Sequence, residues 1–118
     1  MLDNEDFIVL TSATKGERGP EQEAIANEII RWGALLLRKN RDYGSAVWQS
    51  PLLAPDCDPG TAIRVRMSDK ISRLSSLLSK KSEVNDESID DTLRDLGAYC
   101  LLELARPGRK QLDSTSDL

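Results

Sequence analysis

Three apolar stripes at helical spacing constrain this chain more than any other feature. Ile25, Ile29, Trp32 and Leu36 form the first, widened by Ile30, Ala34 and Leu37. Ile63, Met67, Ile71, Leu74 and Leu78 form the second; Ile89, Leu93, Leu96, Cys100 and Leu104 form the third. Each stripe begins at a helix-start signal. Pro20 suits a first helical position, with Glu21 and Glu23 at the positive end of the dipole. Asp58 can cap the second helix with Pro59 in its first turn. Asn85 or Asp86 can cap the third, whose first turns carry Glu87, Asp90 and Asp91. The first helix is expected to run to about Lys39 or Asn40, the second to Lys80-Lys81, and the third to Pro107-Gly108. The expected fold is therefore all-α, a bundle of three main helices. A three-helix core from one chain is thin, so a homo-oligomer, in the first place a dimer pooling six helices, is expected.

The flanking segments read differently. "FIVLT" is short, apolar and β-branched enough for one edge strand, followed by a linker in "SATKGERG". Residues 1–19 are thus a flexible segment, 20–106 the helical domain, and 107–118 a polar tail with the composition of disorder. Residues 44–58 hold Gly44, Ser45, Pro51 and Pro55 and read as a loop with a helical turn around Ala46–Gln49.

Composition removes several classes of function. The chain of 118 residues has no histidine, so a histidine base, a catalytic triad and a zinc site of the usual kind are excluded. Cys57 and Cys100 lack metal-ligand spacing and suit reduced thiols in a cytosol. No stretch has the length of a membrane span, and "MLDNEDFIVL" has acids where a signal peptide needs bases. A net charge of -4 argues against duplex nucleic acid as a partner, because that partner requires a basic field. A small nucleotide needs only a few local cations.

Two regions carry candidate chemistry. On the third helix, Glu87, Asp91 and Asp95 fall within about 80° of one another, and Tyr99 continues that line on the side opposite the apolar stripe. Adjacent like charges cost a few tenths of a kcal/mol on a bare helix. Mg²⁺ or Mn²⁺ would offset this repulsion, as would partner cations, and a solvated acidic face is the plain alternative. The second helix supplies those cations: Arg66, Lys70 and Arg73 lie with Asp69 on one flank of its stripe, where Lys70 and Arg73 can pair with Asp91 and Asp95. Arg binds phosphate as a fork and Lys as a point charge. The second region is "KNRDYGSAVWQSP". It places Lys39, Arg41 and Asp42 at a helix end beside Tyr43 and Trp48, two of only five aromatic residues. Either ring can stack on a base, worth about 1–3 kcal/mol, or can cap the bundle as core.

Three segments, "KNRDYGSAVW", "AIRVRMSDKISRL" and "NDESIDDTLRDLGAYCLL", together resemble the nucleotide-modification-associated domain 1 family of bacteria and phages over residues 24–105. The last segment is the most specific, with Glu87, Asp91, Thr92 and Asp95 in place. The resemblance implies a cytoplasmic protein of a bacterial host that handles a nucleotide; the candidate nucleotide-binding residues are Lys39, Arg41, Asp42, Tyr43, Trp48, Lys70, Arg73 and Tyr99. The acidic stripe is also similar in style to MazG-type pyrophosphohydrolases, which hold Mg²⁺ on paired acids of two helices. On that analogy Glu87, Asp91 and Asp95 would hold the metal, and Asp69 and Asp91 would act in catalysis. The chain departs from that pattern: the second helix offers a single acid, Asp69, among cations. The alternative implied role is non-catalytic, the sequestration of a cyclic nucleotide signal of bacterial defence. A plain interaction bundle, with every charge structural, is the third reading.

Overall fold

The computed structural model describes residues 4–11, 19–44, 46–80 and 86–109, the side chains of residues 7–9, 11, 43, 86 and 87 excepted. The described elements are helices α1 (Asn4–Thr11), α2 (Pro20–Tyr43), α3 (Pro59–Ser79) and α4 (Asp86–Leu104), with a 3-10 turn at Ala46–Trp48. No strand occurs among the described residues. The all-α expectation holds, and none of the described helices is long and apolar enough to cross a membrane. The linker at 12–18 and the tail from 110 onward lie outside the described residues.

The chain divides into two units, Met1–Asp42 and Tyr43–Leu118. In the first, the segment read as a possible strand is instead helical, as α1. A lone strand has unpaired backbone groups and no stability in water, whereas a helix satisfies its own hydrogen bonds. Helix α2 continues past the expected Asn40, through Arg41 and Asp42, to Tyr43. Nothing in "RDY" breaks a helix. Gly44 does, with φ of 67°, the left-handed conformation that ends helices at little steric cost.

The second unit is an antiparallel pair, α3 against α4. Lys70 meets Asp95, and Gly60, ten residues earlier on α3, meets Arg106, eleven residues later in the chain. Helix α3 starts as the sequence predicts. Asp58 is its N-cap, extended at φ -71° and ψ 157°, and accepts a hydrogen bond from the Thr61 amide at 3.1 Å. Pro59 follows in the first turn, and Lys80 stands at the C-cap.

The core of the pair is small. Among the described residues, Ile63 is fully buried, Ala62 and Gly60 are buried beside it, and Thr92 of α4 is 2% exposed. Thr92 satisfies its hydroxyl by donating to the Ser88 carbonyl one turn back, at 2.7 Å. These small side chains let the two backbones approach.

Candidate functional site

The helices do not dock along the centres of their apolar stripes. The expected buried positions Ile71, Leu78, Leu93, Cys100 and Leu104 are all exposed, at 55% for Ile71 and 59% for Leu104. The stripe residues Ile63, Met67, Leu74, Ile89 and Leu96 are buried or half-buried as expected, and so are Arg66 and Lys70 on α3 and Thr92, Asp95 and Tyr99 on α4, beyond the stripes. Each helix therefore meets the other along the boundary between its apolar stripe and its charged flank.

That boundary docking makes the pair two-faced. Helix positions advance by about 100° per residue. On α3, Arg66, Asp69 and Arg73 lie to one side of the contact line, and Met67, Ile71 and Leu78 to the other. On α4, Asp91 lies to the first side, and Ile89, Leu93, Cys100 and Leu104 to the second. Antiparallel helices that face each other are related by a local two-fold axis normal to their common plane. Flanks displaced in the same rotational sense then share a face. The charged flanks form one face of the pair, and the apolar flanks form the other.

The charged face brings part of the sequence-predicted site together. Lys70 Nζ donates to Asp95 Oδ2 at 3.0 Å across the pair, with side chains 28% and 39% exposed. The expected pairing of the two flanks is thus present in Lys70 and Asp95. Tyr99 is half-buried one turn beyond Asp95. The acidic line does not lie wholly opposite the packed side: Asp95 pairs with Lys70 of α3, and Tyr99 is half-buried. Asp91 does point to solvent, 67% exposed, with Arg94 of its own helix 4.0 Å away. Asp69 and Arg73 are exposed on α3. The Glu87 and Tyr43 side chains lie outside those described, so the full Glu87–Asp91–Asp95 set is not on view; among the described residues no three His, Cys, Asp or Glu side chains gather in metal-binding geometry. Lys39, Arg41 and Asp42 are exposed on the last turns of α2, and all three belong to the first unit.

Trp48 takes an intermediate role. Its indole Nε1 donates to the Leu102 carbonyl at 3.1 Å, and the 3-10 turn that carries it packs on α3. The ring is therefore fixed to the C-terminal half of α4 and partly exposed. It behaves as a cap with an available edge.

One cluster escaped the sequence reading. Around the first turn of α3, Arg106 Nε and Nη2 donate to the two oxygens of Glu103, both at 3.0 Å, and Arg109 Nε lies 3.7 Å from Glu103 Oε1. Arg64 donates to the Thr61 hydroxyl at 3.0 Å, which donates to Asp58 at 2.9 Å. The Arg106 hydrogen bonds hold the Glu103 carboxyl below the usual carboxylate range, helped by the charges of Arg106, Arg109 and Arg64 and opposed by burial. Asp58 is held low chiefly by the Thr61 hydroxyl and then by the Thr61 amide. Glu103 in turn raises the Arg106 guanidinium above its ordinary value. The bidentate fork of Arg106 is spaced for Glu103 three residues back on a helical turn, and that i, i+3 spacing was the available signal. Comparison of the chain with protein-family models, curated proteins and solved structures finds no match.

Proposed function

We propose that this chain binds a nucleotide on the charged face of the α3–α4 pair. The observation that carries the reading is the Lys70–Asp95 contact at 3.0 Å, with Arg73 and Asp91 exposed on the same face. Asp95 anchors the Lys70 ammonium at the helix boundary, leaving its other N–H groups for a phosphate oxygen. Arg73 lies one turn further along α3 and offers a fork to the same phosphate group. Tyr99 or Trp48 would take the base. The family resemblance of the three segments supports the same class of ligand.

A catalytic version of this reading draws on the exposure of Asp91, one turn from Asp95. Glu87, Asp91 and Asp95 would then hold Mg²⁺ or Mn²⁺, which supplies charge neutralisation at phosphate and an acidified water when bound. Asp69 is the candidate base. In that version Lys70 has to yield Asp95 to the metal and turn to the phosphate. The non-catalytic version, sequestration of a cyclic nucleotide, leaves the Lys70–Asp95 pair intact.

The experiment is a panel of linear and cyclic nucleotides, with and without Mg²⁺, read by thermal shift and by product chromatography. Binding without turnover supports sequestration. Product that requires Mg²⁺ and is lost in Asp91→Ala supports the enzyme. Arg73→Ala, an exposed change, is expected to weaken binding about tenfold or more, the worth of a charge-assisted hydrogen bond. A panel with neither stabilisation nor product would overturn the proposal.

A further inference from the structure

The turn that leads into α3 presents two leucines to solvent. Leu52 is 97% exposed and Leu53 is 100% exposed. Their backbone is nonetheless fixed. The Ala54 amide donates to the Pro51 carbonyl at 3.0 Å, which makes Leu52 and Leu53 the central residues of a hydrogen-bonded turn. The Cys57 amide donates to the Ala54 carbonyl at 3.0 Å and closes a second turn directly after it. Pro51 and Pro55 lock φ at one residue of each turn. Ser50, Pro51 and Cys57 are half-buried, so the segment is seated at both ends. Turn centres are ordinarily filled by Gly, Pro, Asn, Asp or Ser. Neither the turn nor the core of the chain requires leucine at these two places.

The same unit leaves an apolar seam open between α3 and α4. The Lys70–Asp95 contact sets Ile71 level with Leu93 to within one residue. Ile71 is 55% exposed and Leu93 is 48% exposed. Half-buried Leu74 and Leu96 lie nearer the contact line and form the floor of the seam. In the single chain the two leucines of the turn do not reach this seam, because they are fully exposed. A turn that seats there therefore comes from another copy.

Charge favours that occupant. Arg64, Ile71 and Leu78 follow at spacings of seven and lie along one line of α3. Arg64 is exposed, about 10 Å before Ile71 along the helix. Asp56 is exposed and follows Leu53 by three residues, a reach of at most about 10 Å. Leu53 of one copy set against Ile71 of a second thus lets Asp56 meet Arg64. Asp90, the acid nearest Leu93 on that side of α4, lies toward the other end of the seam. A lipid surface fits less well, since Asp56 and Asp58 beside the leucines oppose anionic headgroups.

We propose that the Leu52–Leu53 turn of one copy of this chain seats on the Ile71–Leu93 seam of a second copy. The contact uses the apolar face of the pair and does not depend on the nucleotide reading. The test is sedimentation equilibrium of the full chain, with far-UV circular dichroism as the control for folding. The unmodified chain is expected to self-associate below hundreds of micromolar. Leu52→Ser/Leu53→Ser changes only exposed positions, so it should fold as before and associate at least tenfold more weakly. Ile71→Ser/Leu93→Ser, which removes the seam, should do the same. Each of these chains keeps the half that the other lacks, so their equimolar mixture should form a one-to-one complex. Asp56→Arg should weaken association, and Arg64→Glu in the same chain should restore part of it. A chain that stays monomeric at hundreds of micromolar would overturn the proposal, and its binding to phosphatidylcholine vesicles would assign the leucines to a lipid surface instead. Unchanged affinity in Leu52→Ser/Leu53→Ser, or no complex on mixing, would overturn it equally.

Discussion

Lys70 Nζ and Asp95 Oδ2 lie 3.0 Å apart, bridging α3 and α4 at the edge between the packed interior and solvent. Both side chains keep part of their hydration, so the pair is screened and is worth at most about 1 kcal/mol. Its larger role is positional, because it sets which flank of each helix shares a face. Lys70→Met and Asp95→Asn are each expected to cost about 1 kcal/mol or less, with a coupling of a few tenths to 1 kcal/mol in a double-mutant cycle by urea denaturation. Strict additivity of the two changes would show that the contact contributes nothing in solution.

Ile63 and Ile71 occupy equivalent places in the apolar pattern of α3 but different places in the molecule. Ile63 is fully buried and Ile71 is 55% exposed. Ile63→Ala should cost about 2–5 kcal/mol, a large share of the stability of so small a core. Ile71→Ala should cost about 0.5 kcal/mol. Thermal melts of the two variants decide the docking line, and equal losses would return it to the centre of the stripe.

Gly60 gives room to Arg106. A Cβ at Gly60 would lie 2.9 Å from Arg106 Nη2 and 3.2 Å from its Cζ. Ala favours the helix by up to about 1 kcal/mol, but it displaces the guanidinium from its seat over the first turn. The side chain is flexible, so Gly60→Ala should fold. Arg106→Ala should lower the melting temperature of the native chain and have little effect in the Gly60→Ala background. An equal drop in both backgrounds would mean that Arg106 does not depend on the open space at Gly60.

The local signals in the sequence were legible because their physics is local. Asp58-Pro59 starts α3, and Gly44 stops α2, through interactions of neighbours only. The stripe positions were also legible as helical faces. What periodicity could not supply was the angle at which two faces meet. A pattern of apolar residues gives the width of a stripe; the docking line depends on the partner. Here Lys70 and Asp95 pair at the edge of the contact and Thr92 is buried, while Ile71 and Leu93 stay exposed. The Lys70–Asp95 part of the candidate site was legible as two flanks of opposite charge on neighbouring helices. The Arg106–Glu103 fork was not legible because Arg106 lies in the turn past Leu104, beyond the apolar stripe that marks α4. The strand reading of "FIVLT" failed because a five-residue apolar run fits either state until a partner strand is found.

The acid limb of stability should trace to Asp58 and Glu103. Both carboxyls are held below the usual range in the folded chain, Asp58 first by the Thr61 hydroxyl and Glu103 first by Arg106. The unfolded chain therefore binds more protons wherever these groups titrate, and stability falls as pH falls. Their contribution is fully present above the ordinary carboxylate range near pH 4, and is lost as pH drops through the lowered folded values. Asp58→Asn and Glu103→Gln remove that contribution at neutral pH. The variants should melt lower than the native chain at pH 7, and the gap should close as pH falls from about 5 to below 3. Each variant should also show a shallower slope of melting temperature against pH. A gap that stays constant across this range would mean that the two carboxyls titrate alike in the folded and unfolded chain, and that the ion cluster around the first turn of α3 does not form.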